Sequence, residues 1–126
     1  MQNPKNLLVS ARALQLAADT YRLTRLFPAD ERFGLMAQMR RAAVSIGSNI
    51  AEGCGRSSDK ELVAFLHIAL GSASELRFQI DVAKTLDFVN AEQASPSEDL
   101  VNEVMRMLSR LIVAVKARSK RPRDRS

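Results

Sequence analysis

The chain has 126 residues, of which 46% are hydrophobic and 26% charged, and this balance predicts one globular domain rather than a disordered chain. Its single cysteine excludes an intramolecular disulfide and a metal cage made of several cysteines. With one tyrosine, five phenylalanines and no tryptophan, it is poor in the aromatic rings on which nucleic-acid bases stack. The first residues lack the layout of a signal peptide and no apolar run is long enough to span a bilayer, so we expect a cytoplasmic protein with no membrane contact.

Apolar residues at helical spacing mark two segments in the first half of the chain. The first covers about residues 6–26, with the repeat Leu7, Ala11, Leu14, Ala18 and Tyr21. The second covers about residues 29–53, because Pro28 is tolerated at the first turn of a helix. Its apolar face consists of Leu35, Met39, Ala42, Ile46 and Ile50.

Two further segments begin at sequences typical of capping boxes. Ser58 and Glu61 open the third segment, whose seven-residue apolar repeat consists of Leu62, Leu66, Ala69, Ala73, Leu76, Ile80 and Ala83. The stretch Ser95-Pro96-Ser97-Glu98 opens the fourth, which runs to about Arg118 and carries Leu100, Val104, Met107, Leu111 and Val115. Four long helices joined by short turns, with no strand pattern, predict an all-α, antiparallel up-down-up-down four-helix bundle over residues 1–118. Residues 119–126 are expected to form a basic, disordered tail.

The fourth segment carries a second apolar stripe beside the first, made of Val101, Met105, Leu108 and Ile112. A helix in a monomeric bundle needs an apolar stripe of only about 100°. We interpret the excess as a contact surface between copies of the chain. The alternative is a thick core with a few exposed aliphatic side chains.

The stretch "SIGSNIAEGCGRSS", residues 45–58, separates the second and third segments. It has neither the G-x-x-x-x-G-K-[ST] nor the G-x-G-x-x-G spacing, which argues against a phosphate-binding loop. Small residues at Ala43, Gly47 and Ala51 would let another backbone approach, and Gly53 and Gly55 are expected to end the helix in the left-handed conformation. On the polar side we predict a partly buried network that fixes helix register and links Arg41, Asn49, Glu52, Arg56 and Glu75.

Residues 40–89 resemble a bacterial family of small four-helix-bundle proteins, some of which are encoded by intervening sequences within large-subunit ribosomal RNA genes. The matching pieces are Ser45-Ile46, Asn49-Ile50-Ala51-Glu52-Gly53, Gly55-Arg56, Gly71-Ser72 and Glu75-Leu76. The resemblance implies a homopentameric ring of up-down bundles. It also implies kinship with the accessory protein of diversity-generating retroelements, a basic pentamer associated with nucleic acid and a reverse transcriptase.

Positive charge is concentrated at the C-terminus. Residues 116–126 contain six basic residues and one acidic residue, which accounts for the whole net charge of +5. The preceding residues contain 13 basic and 13 acidic side chains, so their charges balance. The density of cations is typical of phosphate contacts, and the candidate nucleic-acid-binding residues are Lys116, Arg118, Lys120, Arg121, Arg123 and Arg125. Hence we expect a homo-oligomer that binds RNA or DNA. The alternatives are an inert solvated tail, or a protein-interaction scaffold whose apolar stripes and methionines contact a partner.

The sequence gives little support for an enzyme. The one histidine, His67, lies between apolar residues, and no helix carries the Glu-x-x-His spacing of a di-metal bundle. Cys54 near Arg56 is the best candidate for a lowered thiol pKa, although a helix C-terminus opposes that shift. We therefore expect no catalytic residues, no metal, no cofactor and no small-molecule substrate.

Overall fold

The computed structural model describes residues 4–120, which form four α-helices and one short 3₁₀ turn. The helices are α1 (Pro4–Thr24), α2 (Leu35–Cys54), α3 (Asp59–Thr85) and α4 (Ala91–Ser119), and the 3₁₀ turn is Ala29–Glu31. Within these residues there is no β-strand. The all-α prediction is confirmed.

Side-chain contacts show that neighbouring helices run in opposite directions. Lys84 near the end of α3 bonds Glu98 near the start of α4, while Asp59 at the start of α3 bonds Arg118 at the end of α4. The corresponding contacts between α1 and α4 are Arg22 with Gln93 and Arg12 with Glu103. Each helix packs on two others, with α1 and α3 on one diagonal and α2 and α4 on the other. This is the up-down-up-down bundle that the sequence predicts.

The buried face of α1 is not the one marked by its apolar repeat. Leu14 is 73% exposed, and Ala11, Ala18 and Tyr21 are exposed as well. The core instead receives Val9, Ala13, Leu16, Thr20 and Leu23. The sequence did not show this face as apolar because it contains the polar residue Thr20. The Thr20 hydroxyl can be buried because it donates to the carbonyl of Leu16 at 2.8 Å. Helix α1 therefore presents a spare apolar stripe to the outside.

The second apolar stripe of helix α4 is buried, unlike the apolar stripe of α1. The interpretation of this α4 stripe as a contact between copies is therefore wrong. Val101 and Leu108 are fully buried, Ile112 is nearly so, and Met105 is partly buried against the core. The residues of both stripes are buried or partly buried in the core that α4 shares with its neighbours α1 and α3, so the thick-core alternative holds for this helix.

Two helix starts differ from the prediction. Helix α2 does not begin at residue 29, because Gly34 leaves the helical conformation (φ −102°, ψ −118°) and separates the 3₁₀ turn from the helix. Helix α4 begins five residues earlier than Pro96 indicated. Its capping box is Asn90 with Gln93, in which each side chain bonds the backbone N–H of the other at 2.7 and 2.9 Å. Helix α3 begins as predicted, with the Ser58 hydroxyl accepting the N–H of Glu61 at 3.1 Å.

Gly53 is needed for close packing and not for a left-handed cap. It lies inside the last turn of α2, Gly55 follows with φ −84°, and no described glycine has a positive φ. A Cβ added at Gly53 would lie 2.9 Å from the Cβ of Phe65 and 3.1 Å from Cδ1 of Leu62. The backbones of α2 and α3 therefore meet at a distance that only glycine allows.

The end of α4 is tied to the start of α3. Arg118 donates to both carboxylate oxygens of Asp59, at 3.0 and 2.7 Å. These hydrogen bonds lower the pKa of the Asp59 carboxyl and raise that of the Arg118 guanidinium. Helix α4 extends to Ser119, one residue beyond the predicted boundary at 118. Of the predicted disordered tail, residues 119–126, Ser119 is helical, Lys120 is the C-cap of α4, and residues 121–126 lie outside the described residues.

Two glycine substitutions should have opposite effects on stability. Gly53→Ala should lower the free energy of unfolding by about 1–3 kcal/mol, because the added methyl overpacks the α2–α3 contact. Gly71→Ala should raise it by roughly 0.5–1 kcal/mol, because Gly71 lies in mid-helix with open space around it. Urea titration followed by circular dichroism measures both. Equal effects of the two substitutions would contradict the packing role of Gly53.

The Asp59–Arg118 pair should make stability depend on pH in the acid range. Because the folded-state pKa of Asp59 lies below its ordinary value of 3.8, the pair contributes fully above that pH and its contribution is lost as pH falls through the folded-state pKa. Arg118→Gln should cost at most about 1 kcal/mol near neutral pH, since the pair is partly exposed. The cost should vanish in acid. The control is Arg106→Gln, which removes an exposed arginine with no ion pair among residues 4–120 and should show no such window; a pH-independent difference for Arg118→Gln would contradict the assignment.

Candidate nucleic-acid interface

The C-terminal basic segment, residues 116–126, is only partly described. Lys116 lies on the last turn of α4 and Lys120 is the C-cap of that helix; both are exposed and have no ion pair within residues 4–120. Arg118 is exposed too, but its guanidinium is held by Asp59. The remaining candidates, Arg121, Arg123 and Arg125, lie outside the described residues. The segment therefore starts as a helical extension of the bundle, and of its three described cations Arg118 is already paired.

The predicted polar network exists as separate pieces and not as one network. Arg56 pairs with Glu52 at 2.8 Å on the exposed end of α2, and its guanidinium lies 4.9 Å from the ring centroid of Phe65. Asn49 donates to the carbonyl and the hydroxyl of Ser45 within its own helix. No hydrogen bond or ion pair within residues 4–120 joins Arg41 or Glu75 to these groups.

The polar link between α2 and α3 is instead a pair of serines. The hydroxyls of Ser45 and Ser72 lie 3.0 Å apart, and Asn49 completes this small cluster from the α2 side. The predicted network was too large, because the guanidinium of a long arginine is more stable in water at the surface than buried between two helices. Short hydroxyls can bond there without separating the backbones.

The surroundings of Cys54 disfavour its thiolate form. Burial raises the pKa of the Cys54 thiol, and a hydrogen bond with Asn6 offsets only part of this shift, so the expected lowering by Arg56 is wrong. His67 lies exposed on α3. Among residues 4–120 there is no group of three or more His, Cys, Asp or Glu side chains that could hold a metal ion.

A cleft that the sequence did not reveal runs along α2, between the end of α1 and the middle of α3. It has a volume of about 840 Å³. We call it the cationic cleft, and its main lining residues are Tyr21, Arg32, Phe33, Arg40, Arg41 and Glu75. Three arginines against one carboxylate make its potential positive, although the bundle as a whole carries balanced charge.

Arg40 is the best-positioned arginine of the cationic cleft. Its Nε donates to the hydroxyl of Thr24 at 2.9 Å, and its guanidinium carbon lies 4.4 Å from the ring centroid of Tyr21. Thr24 in turn donates to the carbonyl of Thr20, which fixes the whole chain of contacts. The terminal nitrogens of Arg40 have no other partner within residues 4–120, so they can donate to an anion without reorganisation.

Phe33 lies at the mouth of the cleft and is 89% exposed. The interruption of the helix at Gly34 places it there, in the connection before α2. The guanidinium of Arg32 lies 5.8 Å from its ring centroid. An exposed ring beside cations is the arrangement on which planar groups stack.

Sequence reasoning missed the cationic cleft for two reasons. Its rings and arginines are spread over residues 21–41, and they come together because the turn after α1 folds back onto α2. The low count of aromatic residues also hid the fact that Tyr21 and Phe33 share one surface. The available signal was Arg32-Phe33-Gly34, since a charged residue, an apolar ring and a helix-breaking residue in succession are typical of a surface turn.

A second, more apolar groove lies between α1 and α2. Its floor consists of small residues, among them Ala13, Ala43 and Gly47, and its rims are the exposed side chains of Leu14 and Val44. A Cβ at Gly47 would lie 3.8 Å from that of Ala13, which is ordinary contact. The α1–α2 groove therefore stays shallow because its residues are small.

None of the described helices is long and apolar enough to cross a membrane. A crystal structure of a protein of unknown function from the S23 ribosomal protein family of Bacteroides thetaiotaomicron is similar over 86% of this chain and 98% of that chain, with 24% sequence identity and a TM-score of 0.80. At this identity the likeness shows the fold. No similar sequence was found among curated proteins.

A comparison with protein families agrees with the bundle fold and with the motif residues of α2 and α3. The family described as 23S rRNA-intervening sequence protein matches residues 5–110, which covers all of α2 and α3 and most of α1 and α4. The chain belongs to the 23S rRNA-intervening sequence protein family.

Proposed function

We propose that this protein is a non-enzymatic, self-associating four-helix bundle that binds RNA or DNA in the cytoplasm, with the C-terminal basic segment supplying phosphate contacts. The observation that carries the proposal is the placement of the whole net charge of +5 on residues 116–126. Cations that contact phosphates release bound counterions, and this release drives sequence-independent binding.

The geometry at the end of α4 supports this use of the segment. Lys116 on the last turn of α4 and Lys120 at its C-cap are exposed to solvent, and Arg118 anchors the base of the segment through Asp59. Because Arg118 is held by Asp59, the C-terminal basic segment begins at a fixed place on the bundle. The segment holds six cations in sequence, and several copies of it in one assembly would multiply weak phosphate contacts through effective concentration.

Self-association is supported by the exposed apolar stripe of α1. Leu14 and Val44 flank a groove of small residues into which a helix or side chain of another copy can pack closely. Exposed apolar surface of this kind marks contact sites. The number of subunits, five, comes from the family resemblance.

A protein-interaction scaffold without a nucleic-acid role is the second candidate. The same α1–α2 groove favours it, since a groove does not distinguish a second copy from another protein. Nucleic-acid binding that falls steeply with salt separates the two functions. The scaffold is favoured if the chain binds neither RNA nor DNA and a pull-down recovers one stoichiometric protein without RNA.

Removal of tail cations should weaken binding to nucleic acid and flatten its salt dependence. The triple variant Arg121→Gln, Arg123→Gln, Arg125→Gln should lower the affinity for single-stranded RNA. It should also reduce the slope of log affinity against log salt concentration by about 2, because each phosphate that is no longer neutralised accounts for roughly 0.7 of that slope. Fluorescence anisotropy across a salt series measures both quantities.

The matched control removes the same charge from the body of the bundle. Lys60, Arg106 and Arg110 are exposed, and none has an ion pair within residues 4–120. Their triple glutamine variant should keep most of the salt dependence. If both variants lose affinity equally, net charge and not the C-terminal basic segment is responsible, and a flat salt response of the unmodified chain would remove the phosphate-contact proposal.

Leu14→Asp should dissociate the assembly. Leu14 is largely exposed within one chain, so the substitution should leave the helix content unchanged while placing a carboxylate in an apolar contact between copies. Light scattering gives the mass and circular dichroism the helix content. Val113→Asp is the control, because Val113 is 67% exposed on α4, away from the groove. An oligomer that survives Leu14→Asp would show that the groove is not the contact.

A further inference from the structure

We propose that the cationic cleft is a second nucleic-acid site, which binds an unpaired stretch of RNA or DNA with one base stacked on Phe33. The inference rests on the proposed function and adds to it a ligand class, the single strand, that the C-terminal basic segment by itself would not select.

The ring of Phe33 is the first reason. It is the most exposed large apolar side chain of the described residues, at 89%, and it makes no contribution to the core. The guanidinium carbon of Arg32 lies over the ring, 5.8 Å from its centroid, so the exposed apolar surface of the ring has a cation beside it. Every nucleobase has a face that can stack on such a ring, and burying that face removes the ring from water.

The arginines deeper in the cleft are the second reason. Arg40 is held by Thr24 and lies over Tyr21, so its terminal nitrogens are oriented before any ligand arrives. Arg41 lines the same wall and has no ion pair within residues 4–120. A backbone phosphate that follows a base stacked on Phe33 would meet these two guanidinium groups.

The floor of the cleft supplies groups that bases can bond. Ser48 lines it with an exposed hydroxyl, which donates and accepts, the hydroxyls of Ser45 and Ser72 bond each other, and Glu75 adds the one carboxylate. A carboxylate accepts from an N–H group on the Watson–Crick edge of a base, such as N3–H of uracil, and repels phosphate. Glu75 thus favours a strand whose bases turn inward toward α3 and whose phosphates stay near the arginines of α2.

A duplex cannot use this arrangement. Its bases are stacked on one another, so neither a base face nor a Watson–Crick edge is available to Phe33 and Glu75. The phosphate contacts of the C-terminal basic segment have no such requirement. The two surfaces therefore differ in what they should bind.

The antiparallel order of the helices places the two surfaces at opposite ends of the bundle. Phe33 lies where α1 ends and α2 begins, whereas the C-terminal basic segment starts beside Asp59, where α3 begins. Helix α4 has 29 residues and spans about 40 Å at its normal rise. A strand held at both ends would run along the bundle, and each contact would raise the effective concentration at the other.

The test compares Phe33→Ala with the unmodified full chain, with fluorescent oligouridylate as the single strand and a duplex of the same length. The affinity for oligouridylate should fall roughly tenfold, which corresponds to the loss of one stacked base, while the affinity for the duplex should not change. Phe78→Ala is the matched control, since Phe78 is 68% exposed on α3 and does not line the cleft. Arg41→Gln against Arg106→Gln makes the same comparison for charge.

Photo-crosslinking locates the base directly. An oligouridylate that carries 5-iodouridine should crosslink to the tryptic peptide of residues 33–40, which lies between Arg32 and Arg41 and contains Phe33. DNA of matched sequence in the same assay shows whether the 2′-hydroxyl contributes.

The outcomes separate this inference from the proposed function. If oligouridylate and duplex bind alike and Phe33→Ala binds as the unmodified chain does, the cleft site is overturned while the C-terminal basic segment stands. If the full chain binds neither RNA nor DNA, both are overturned. If Phe33→Ala dissociates the oligomer in light scattering, the cleft is a contact between copies and the inference is overturned.

Discussion

The close approach of α2 and α3 is the constraint on which the rest of the molecule depends. At Gly53 the two backbones meet with no room for a Cβ, and farther along the hydroxyls of Ser45 and Ser72 lie within hydrogen-bond distance. These two contacts fix both the separation and the register of the pair. Ile46 of α2 and Leu76 of α3 are fully buried in the core beside these contacts.

This constraint gives a physical meaning to the family motif. Its glycine at position 53 allows the approach, its serines at 45 and 72 bond across it, and its isoleucines and leucine fill the space behind. The motif is therefore a packing signature, and it says nothing by itself about a ligand. Because it holds α2 close to α3, it also fixes the wall and the floor of the cationic cleft.

The sequence predicts those parts of the fold that depend on local patterns, and it fails where a tertiary contact decides. The seven-residue repeat of α3 is buried as predicted, because no second stripe competes with it. In α1 the buried face was not predicted because it contains Thr20, whose hydroxyl is buried with a hydrogen bond to the backbone of its own helix. The start of α4 was misplaced because Asn90 with Gln93 competes as a cap with the serine before Pro96, and the more complete capping box prevails.

The candidate site was harder to predict than the fold, because net charge and composition average over the surface. The body of the chain is neutral, but its acids are not spread evenly among its bases. The ion pairs that join different helices lie on the seams of α4, namely Arg12–Glu103, Lys84–Glu98 and Arg118–Asp59. No such pair among residues 4–120 joins α2 to a neighbour. Arg40 and Arg41 of α2 have no ion pair within residues 4–120. A bundle whose overall charge is balanced thereby has one face where ion pairs join its helices, and an opposite face where Arg40 and Arg41 have no ion pair among residues 4–120.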